Sequence, residues 1–282
     1  MSRLLPLFTL VVLIVSAAVV NAQWPEPSWP KELAACPSFV RLDRTKMQDV
    51  DGQQAPTYRK RPWPDAQGKT QHCPLVVENM YLHHFLNKKA IMINTGSADK
   101  PRVDGQIASY TSVIFRNLDI GLVYRTQPGL HMDHIWIGGG HDPAIQPDVT
   151  FEDVFIHDGN AGVMPILFEA GGNWGTLTFR RVAVAKTANT ITVKLGNSSF
   201  KGIFIEDSPN IRVFFQGDGA PVTVHVRNCP GADIQCPRDG QGKRSTQVTI
   251  VREPFPGSEQ AEKRHMPPGD AINFVPTTQP TP

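Results

Sequence analysis

An excess of charge of either sign is missing from this chain. Its 28 Lys and Arg stand against 26 Asp and Glu, leaving a net charge of +2. Binding along a nucleic-acid backbone depends on a basic patch or stripe. None is present, so no nucleic-acid partner is expected. Cysteine is scarce as well, at four residues, and none of them forms a Cys-x-x-Cys pair. That spacing is the usual mark of thiolate zinc sites and redox motifs, so both readings are weak. Beyond residue 20 there is no second apolar run of membrane length.

The one long apolar run, Leu4 to Val20, follows Arg3 and leads into Val20, Asn21 and Ala22, the small-x-small form of a signal-peptidase site. Residues 1–22 therefore read as the signal peptide of a secreted or periplasmic protein, with a membrane anchor as the competing reading. No membrane association is expected after cleavage, and the remaining ~260 residues, enough for one large core or two small ones, are expected to be monomeric. An even number of cysteines in an exported chain reads as disulfides. The simplest pairing is Cys36–Cys73 with Cys229–Cys236, one pair at each end of the fold. Asn197, Ser198 and Ser199 form a glycosylation sequon.

What the chain does have is punctuation and repetition. With 25 Pro and 23 Gly among many Val, Ile, Phe and Thr, it reads as short strands joined by turns. One phrase recurs: an apolar residue, two mostly polar ones, then apolar, any, apolar. It starts at Val77, Phe115, Met132, Phe151, Phe179 and Phe200. The last five copies start 17, 19, 28 and 21 residues apart. Second strand-like segments trail most copies and end at Gly96, Gly171, Gly196 and Gly217. Coils of about twenty residues that cannot bury their apolar faces alone must stack. The expected fold is all-β, a right-handed parallel β-helix of about six to eight short rungs over residues 75–252. An antiparallel sandwich is the competing reading. Residues 23–74 are expected to be an irregular Pro-rich segment and cap, with a short helix over Trp29 to Ala35, and 253–282 a flexible tail.

Phrase, coil length and export signal together resemble the pectate-lyase-like β-helix superfamily over roughly residues 75–230. The segment from His134 to Ile137 is similar to a strand of pectate lyases in which Trp-Ile is followed by Asp-His. Here Gly138 and Gly139 stand at those two places. No Arg-x-Pro-x-x-Arg stretch is present to supply those enzymes' catalytic arginine. The polygalacturonase branch uses an Asp-Asp pair and a Gly-His-Gly stretch, which Gly140, His141 and Asp142 do not match. The resemblance implies a fold and does not carry over either chemistry.

Strand parity points Tyr81, Asp119, Trp136, Phe155, Ala183 and Phe204 outward. Four of these are aromatic, and in one column Tyr81, Trp136, Phe155 and Phe204 would bind a polysaccharide by ring stacking. Alternatively the Pro-rich N-terminal segment covers them. Further along each rung, His157, Asp158 and Lys186 would lie near Glu206 and Asp207. The leading expectation is a secreted carbohydrate-active protein, a lyase on an acidic polysaccharide, which needs a cation for the uronate carboxylate and a base for the adjacent proton. Lys186 or Arg181 could supply the first, and His157 or Lys186 the second. Calcium could be held by Asp158, Glu206 or Asp207. Asp158 and Asp207 could instead be the carboxylates of a glycoside hydrolase. A solvated charge ladder without catalysis is the plain alternative, as is a glycan-binding or structural surface protein. Asn117, His134, Asp153 and Arg181 are expected to share one turn column.

Overall fold

The computed structural model describes residues 42–62, 72–96, 108–196, 198–217, 219–236 and 248–253. The signal peptide, the cap helix at 29–35, Cys36, Asn197 and the tail from 254 onward lie outside them. Among the described residues there is no α-helix, and no helix long and apolar enough to cross a membrane.

Two parallel sheets make up the molecule. The second contains β2 (Tyr58–Lys60), β5 (Ile91–Asn94), β7 (Met132–Gly138), β9 (Val163–Phe168), β11 (Ile191–Lys194), β13 (Arg212–Gln216) and β15 (Asp233–Gln235). The first runs β1 (Gln48–Asp51), β3 (His72–His83), β6 (Ser109–Tyr124), β8 (Asp148–Gly159), β10 (Gly172–Thr187), β12 (Ser198–Glu206), β14 (Val222–Arg227) and β16 (Val248–Arg252), with β4 (Phe85–Leu86) beside β6. The chain alternates between the sheets and moves one place along each with every coil, an arrangement compatible with a β-helix.

The recurring phrase marks a bent strand. In a regular strand, residues three apart face opposite sides. Val77 and Met80 nevertheless both face the core, as do Phe115 and Leu118, Phe151 and Val154, and Phe179 and Val182. The residue between them that resets the parity has positive φ: Asn79 (56°), Asn117 (51°), Asp153 (53°) and Arg181 (52°). Asp207 (49°) and Asn228 (49°) continue the column. Asn and Asp tolerate this region better than other side chains that carry a Cβ. Their polar groups bond from coil to coil, Asn117 Nδ2 to Asn79 Oδ1 at 2.5 Å, and Asn228 Nδ2 to Asp207 Oδ1 at 2.6 Å. A second corner follows five residues after the first in four coils, at His84 (60°), Leu122 (56°), Asp158 (51°) and Lys186 (49°).

The core lies between the two sheets, whose inward residues meet in one cluster. Phe115, Phe151 and Phe179 stack with centroids 4.7 and 5.2 Å apart and planes within 8° of parallel. On the opposite wall Ile91, Ile135, Ile166, Ile191 and Val213 form a matching column.

Several expectations are corrected. The first-corner residues recur at intervals of 38, 36, 28, 26 and 21 residues, so the coils shorten toward the C-terminus and are not uniformly about twenty. The Met132 copy of the phrase is a strand of the second sheet, and the Phe200 copy aligns with Trp174, ahead of the corner. His134 is not in the corner column; its buried ring contacts the carbonyl oxygens of His157 (3.1 Å) and Met164 (3.4 Å). Residues 48–51 and 58–60, expected to be irregular, are strands. Cys73, Cys229 and Cys236 are free thiols, so the Cys229–Cys236 bridge is not formed. Cys229 instead occupies the inner position after its corner, its thiol donating to the carbonyl of Arg227 at 3.0 Å. Burial pushes that thiol up to about 11.

The corner column predicts a specific mutational response. Asn117→Ala is expected to cost about 1–2 kcal/mol, because a Cβ without a compensating polar group is strained at positive φ. Asn117→Gly should retain most of the stability. Guanidinium melts giving equal losses for the two would show that backbone conformation is not what selects this residue.

Candidate functional site

The stretch of the first sheet between its two corners presents two outward rows. One is Tyr81, Asp119, Phe155 and Ala183; the other is His83, Gly121, His157 and Ala185. In the second row glycine decides the geometry. A Cβ at Gly121 would collide with the His157 ring, so only glycine lets that ring lie across the neighbouring strand and reach Asp119. His157 Nε2 then sits 2.9 Å from Asp119 Oδ1, and Nδ1 2.7 Å from Asp158 Oδ2. Two carboxylates each accept one ring proton, which is the pattern of an imidazolium. Phe155 stacks on the ring at 4.7 Å. Burial disfavours the charged ring, but the hydrogen bonds it donates to Asp119 and Asp158 outweigh this and lift His157 above its ordinary value.

A segment from outside the repeat closes this face. Asp43 caps a single 3-10 turn, Arg44–Lys46. From it Arg44 donates through Nε to Asp119 Oδ2 at 2.6 Å, while its guanidinium lies 4.3 Å from the centre of the Tyr81 ring. On either side of the turn, Leu42 and Met47 pack with Phe155 and Ala183 in a small second core. Of the two readings of the outward row, covering by the N-terminal segment is what the structure contains.

The residues expected to act together are dispersed. His157 and Asp158 do meet, and Lys186 Nζ lies 3.9 Å from Asp158 Oδ1. The His157 side chain is only 1% exposed, with both nitrogens engaged. Arg181 is at the other corner, bound to Asp153 at 2.6 Å and Glu152 at 2.8 Å. Glu206 sits between two guanidinium groups, Arg180 at 2.8 Å and Arg227 at 3.1 Å, and Asp207 accepts from Asn228. Both acids belong to the first corner and Asp158 to the second, so the calcium grouping and the Asp158–Asp207 pair are not assembled. Nor is there one aromatic column. Tyr81 and Phe155 share a row, Phe204 pairs with Thr178 and stacks on His225 at 5.0 Å, and Trp136 is in the second sheet.

Trp136 has its own surroundings. Its ring lies over Gly138, where any Cβ would collide with it, and its Nε1 donates to Glu169 Oε1 at 2.6 Å. Lys194 Nζ holds the other carboxylate oxygen at 2.7 Å. Burial alone would raise the Glu169 carboxyl, but the hydrogen bonds from Lys194 and Trp136 outweigh it and keep it below the ordinary range. Beside this pair is a cleft of about 290 Å³ lined by Glu169, Lys194, Gly196, Ser198, Gln216 and Gly217. Sequence reasoning singled out Trp136 but missed Glu169 and Lys194. The signal was the glycine two residues beyond the tryptophan, because a flat-lying ring needs a neighbour without a side chain.

Comparison with protein-family models, with curated proteins and with solved structures finds no match. The physics of the buried cluster is nonetheless testable. A group whose folded pKa exceeds its unfolded value, about 6.5 for histidine, stabilises fully below that value, and the contribution disappears as pH rises through the folded one. Unfolding free energy of the wild type should therefore fall relative to His157→Gln as pH is raised from about 6 to about 9. Parallel pH profiles of denaturant stability would mean that the folded ring holds its proton no more tightly than the unfolded one.

Proposed function

We propose that this is an exported right-handed β-helix of the pectate-lyase-like kind that binds a polysaccharide without cleaving it. The carrying observation is the outer face of the second sheet. There the Trp136 ring is fixed by Gly138 beneath it and Glu169 at its edge, next to the cleft that Glu169, Lys194, Ser198 and Gln216 line. Sugar recognition asks for an aromatic plane with a few convergent polar groups, and this face supplies both. A lyase or hydrolase is less well supported. Arg181 and Lys186 are each held beside carboxylates at different corners, and His157 has no nitrogen open to a substrate.

The test is retention of the purified chain on pectate, alginate and neutral glycan gels, with calcium and with chelator. Unsaturated products and reducing ends are followed in parallel. Retention without either product is the expected outcome, and Trp136→Ala should weaken it about tenfold, equivalent to ~1.4 kcal/mol. Products accumulating with time would replace this reading with a catalytic one. Retention unchanged by the substitution would remove Trp136 from the binding face.

A further inference from the structure

The junction of β1 with β3 holds a group of side chains that neither the polysaccharide reading nor the His157 cluster uses. Asp51 ends β1, His83 ends β3 directly beside it in register, and His84 is the second-corner residue that follows. One ligating atom from each of the three lies within 4.8 Å of the other two. His83 Nδ1 and His84 Nδ1 face each other at 2.5 Å, and His84 Nδ1 is 3.9 Å from Asp51 Oδ1. Two imidazole nitrogens turned toward one point need a proton or a cation between them.

An outer carboxylate sets the orientation of one of the two imidazoles. His83 Nε2 is 2.7 Å from Asp49 Oδ1, two residues before Asp51 on the same strand. A carboxylate only accepts, so Nε2 carries the hydrogen, and the tautomer protonated there has its lone pair on Nδ1, toward His84. A carboxylate behind a histidine that turns the opposite nitrogen outward is the usual outer support of a metal-bound imidazole. The Tyr81 ring, stacked on His83 at 4.5 Å, holds the plane. Asp51 is fixed in turn by the Gln53 amide, which donates to Oδ1 at 2.9 Å and leaves that oxygen a second lone pair. The three side chains are 28%, 11% and 22% exposed, so an ion could enter from solvent and keep an outer position for water.

We infer that Asp51, His83 and His84 form a binding site for a divalent transition metal, with zinc the best fit, oriented by Asp49. Two imidazoles and one carboxylate are borderline ligands that suit zinc, copper or nickel and give little to calcium or magnesium. Binding requires the two nitrogens to separate until each is about 2.0–2.1 Å from the ion. Because Asp51 comes from the first strand of the sheet and the histidines from the next, the ion also ties that end strand to its neighbour.

Titration of the full exported chain with Zn²⁺ by calorimetry, and with Co²⁺ by visible absorption, tests this. One ion per chain is expected, with a thermal midpoint that rises on adding Zn²⁺ and returns with chelator. Calcium in excess should not compete. His84→Asn suits the positive φ at that corner and removes the imidazole, and Asp51→Asn removes the carboxylate charge. Each should weaken Zn²⁺ at least tenfold while leaving the chelator-treated melting curve near the wild type. Asp49→Asn, which touches no metal, should weaken it about 10–100-fold. Absence of saturable Zn²⁺ binding by the wild type overturns the inference, and so does a stoichiometric site that all three substitutions leave unchanged. Neither readout involves a glycan, so failure here is separate from failure of the polysaccharide reading.

Discussion

A chain that coils through stacked parallel strands has to turn at the same place in every coil, and here that turn is made by one residue at positive φ. The consequence is a matter of parity. A single left-handed residue lets the apolar residues on both sides of it face inward, so a strand can bend without turning its core side out. Everything else in the first sheet depends on those corners lining up. If one slipped by a residue, the column Phe115, Phe151, Phe179 would lose a ring to solvent. The side chains at the first corner add to the alignment, since Asn117 bonds Asn79, Arg181 bonds Asp153 and Asn228 bonds Asp207, each one coil away.

This explains which parts of the structure were legible in the sequence. The phrase begun at Val77, Phe115, Phe151 and Phe179 is the imprint of a corner, and an all-β stack of parallel strands follows from it directly. Phe200 and Met132 imitate the phrase without having a corner: Phe200 and Ile203, and Met132 and Ile135, belong to the same core, yet no residue of positive φ stands between them. Those two copies make the coil look shorter than it is and set Trp136 and Phe204 in a column they do not share. The corners at Asp207 and Asn228 leave a weaker imprint, because Ser208 and Cys229 stand where the phrase has an apolar residue. Both do the same work with polar atoms, Ser208 Oγ accepting from the Val182 amide at 2.9 Å.

The site was less legible than the fold because it depends on contacts between distant segments. Strand parity sets Asp119 in the outward row, yet nothing local marks it as the partner of both Arg44 and His157. Arg44 lies in a stretch whose prolines and lack of periodicity gave no element to assign. Buried charges of this kind contribute little net stability by themselves, while removing one partner is costly because the other is left unpaired. Their effect is better described as selection. Leu42 and Met47 meet Phe155 and Ala183 through non-directional apolar contact, whereas the Arg44–Asp119 hydrogen bond is directional.

Solenoid-like folds have two exposed ends and several long faces, and the faces here have been used differently. Covering the middle of the first sheet buries Phe155 and leaves Tyr81 half-buried beside the Arg44 guanidinium, so a row that parity alone offers as a binding strip is largely occupied by the chain itself. On the second sheet the aromatic ring is held by a glycine beneath it and a carboxylate at its edge, both within the repeat itself. A ring fixed by the scaffold loses little conformational freedom when a ligand stacks on it, whereas a ring awaiting a mobile segment would have to be uncovered first. The same reasoning applies at the end strand. Asp49 and Asp51 reach the histidines because β1 adds a rung beyond the first long coil, so the strand that caps the stack also supplies the carboxylates of the proposed metal site, while β3 and the corner after it supply the histidines.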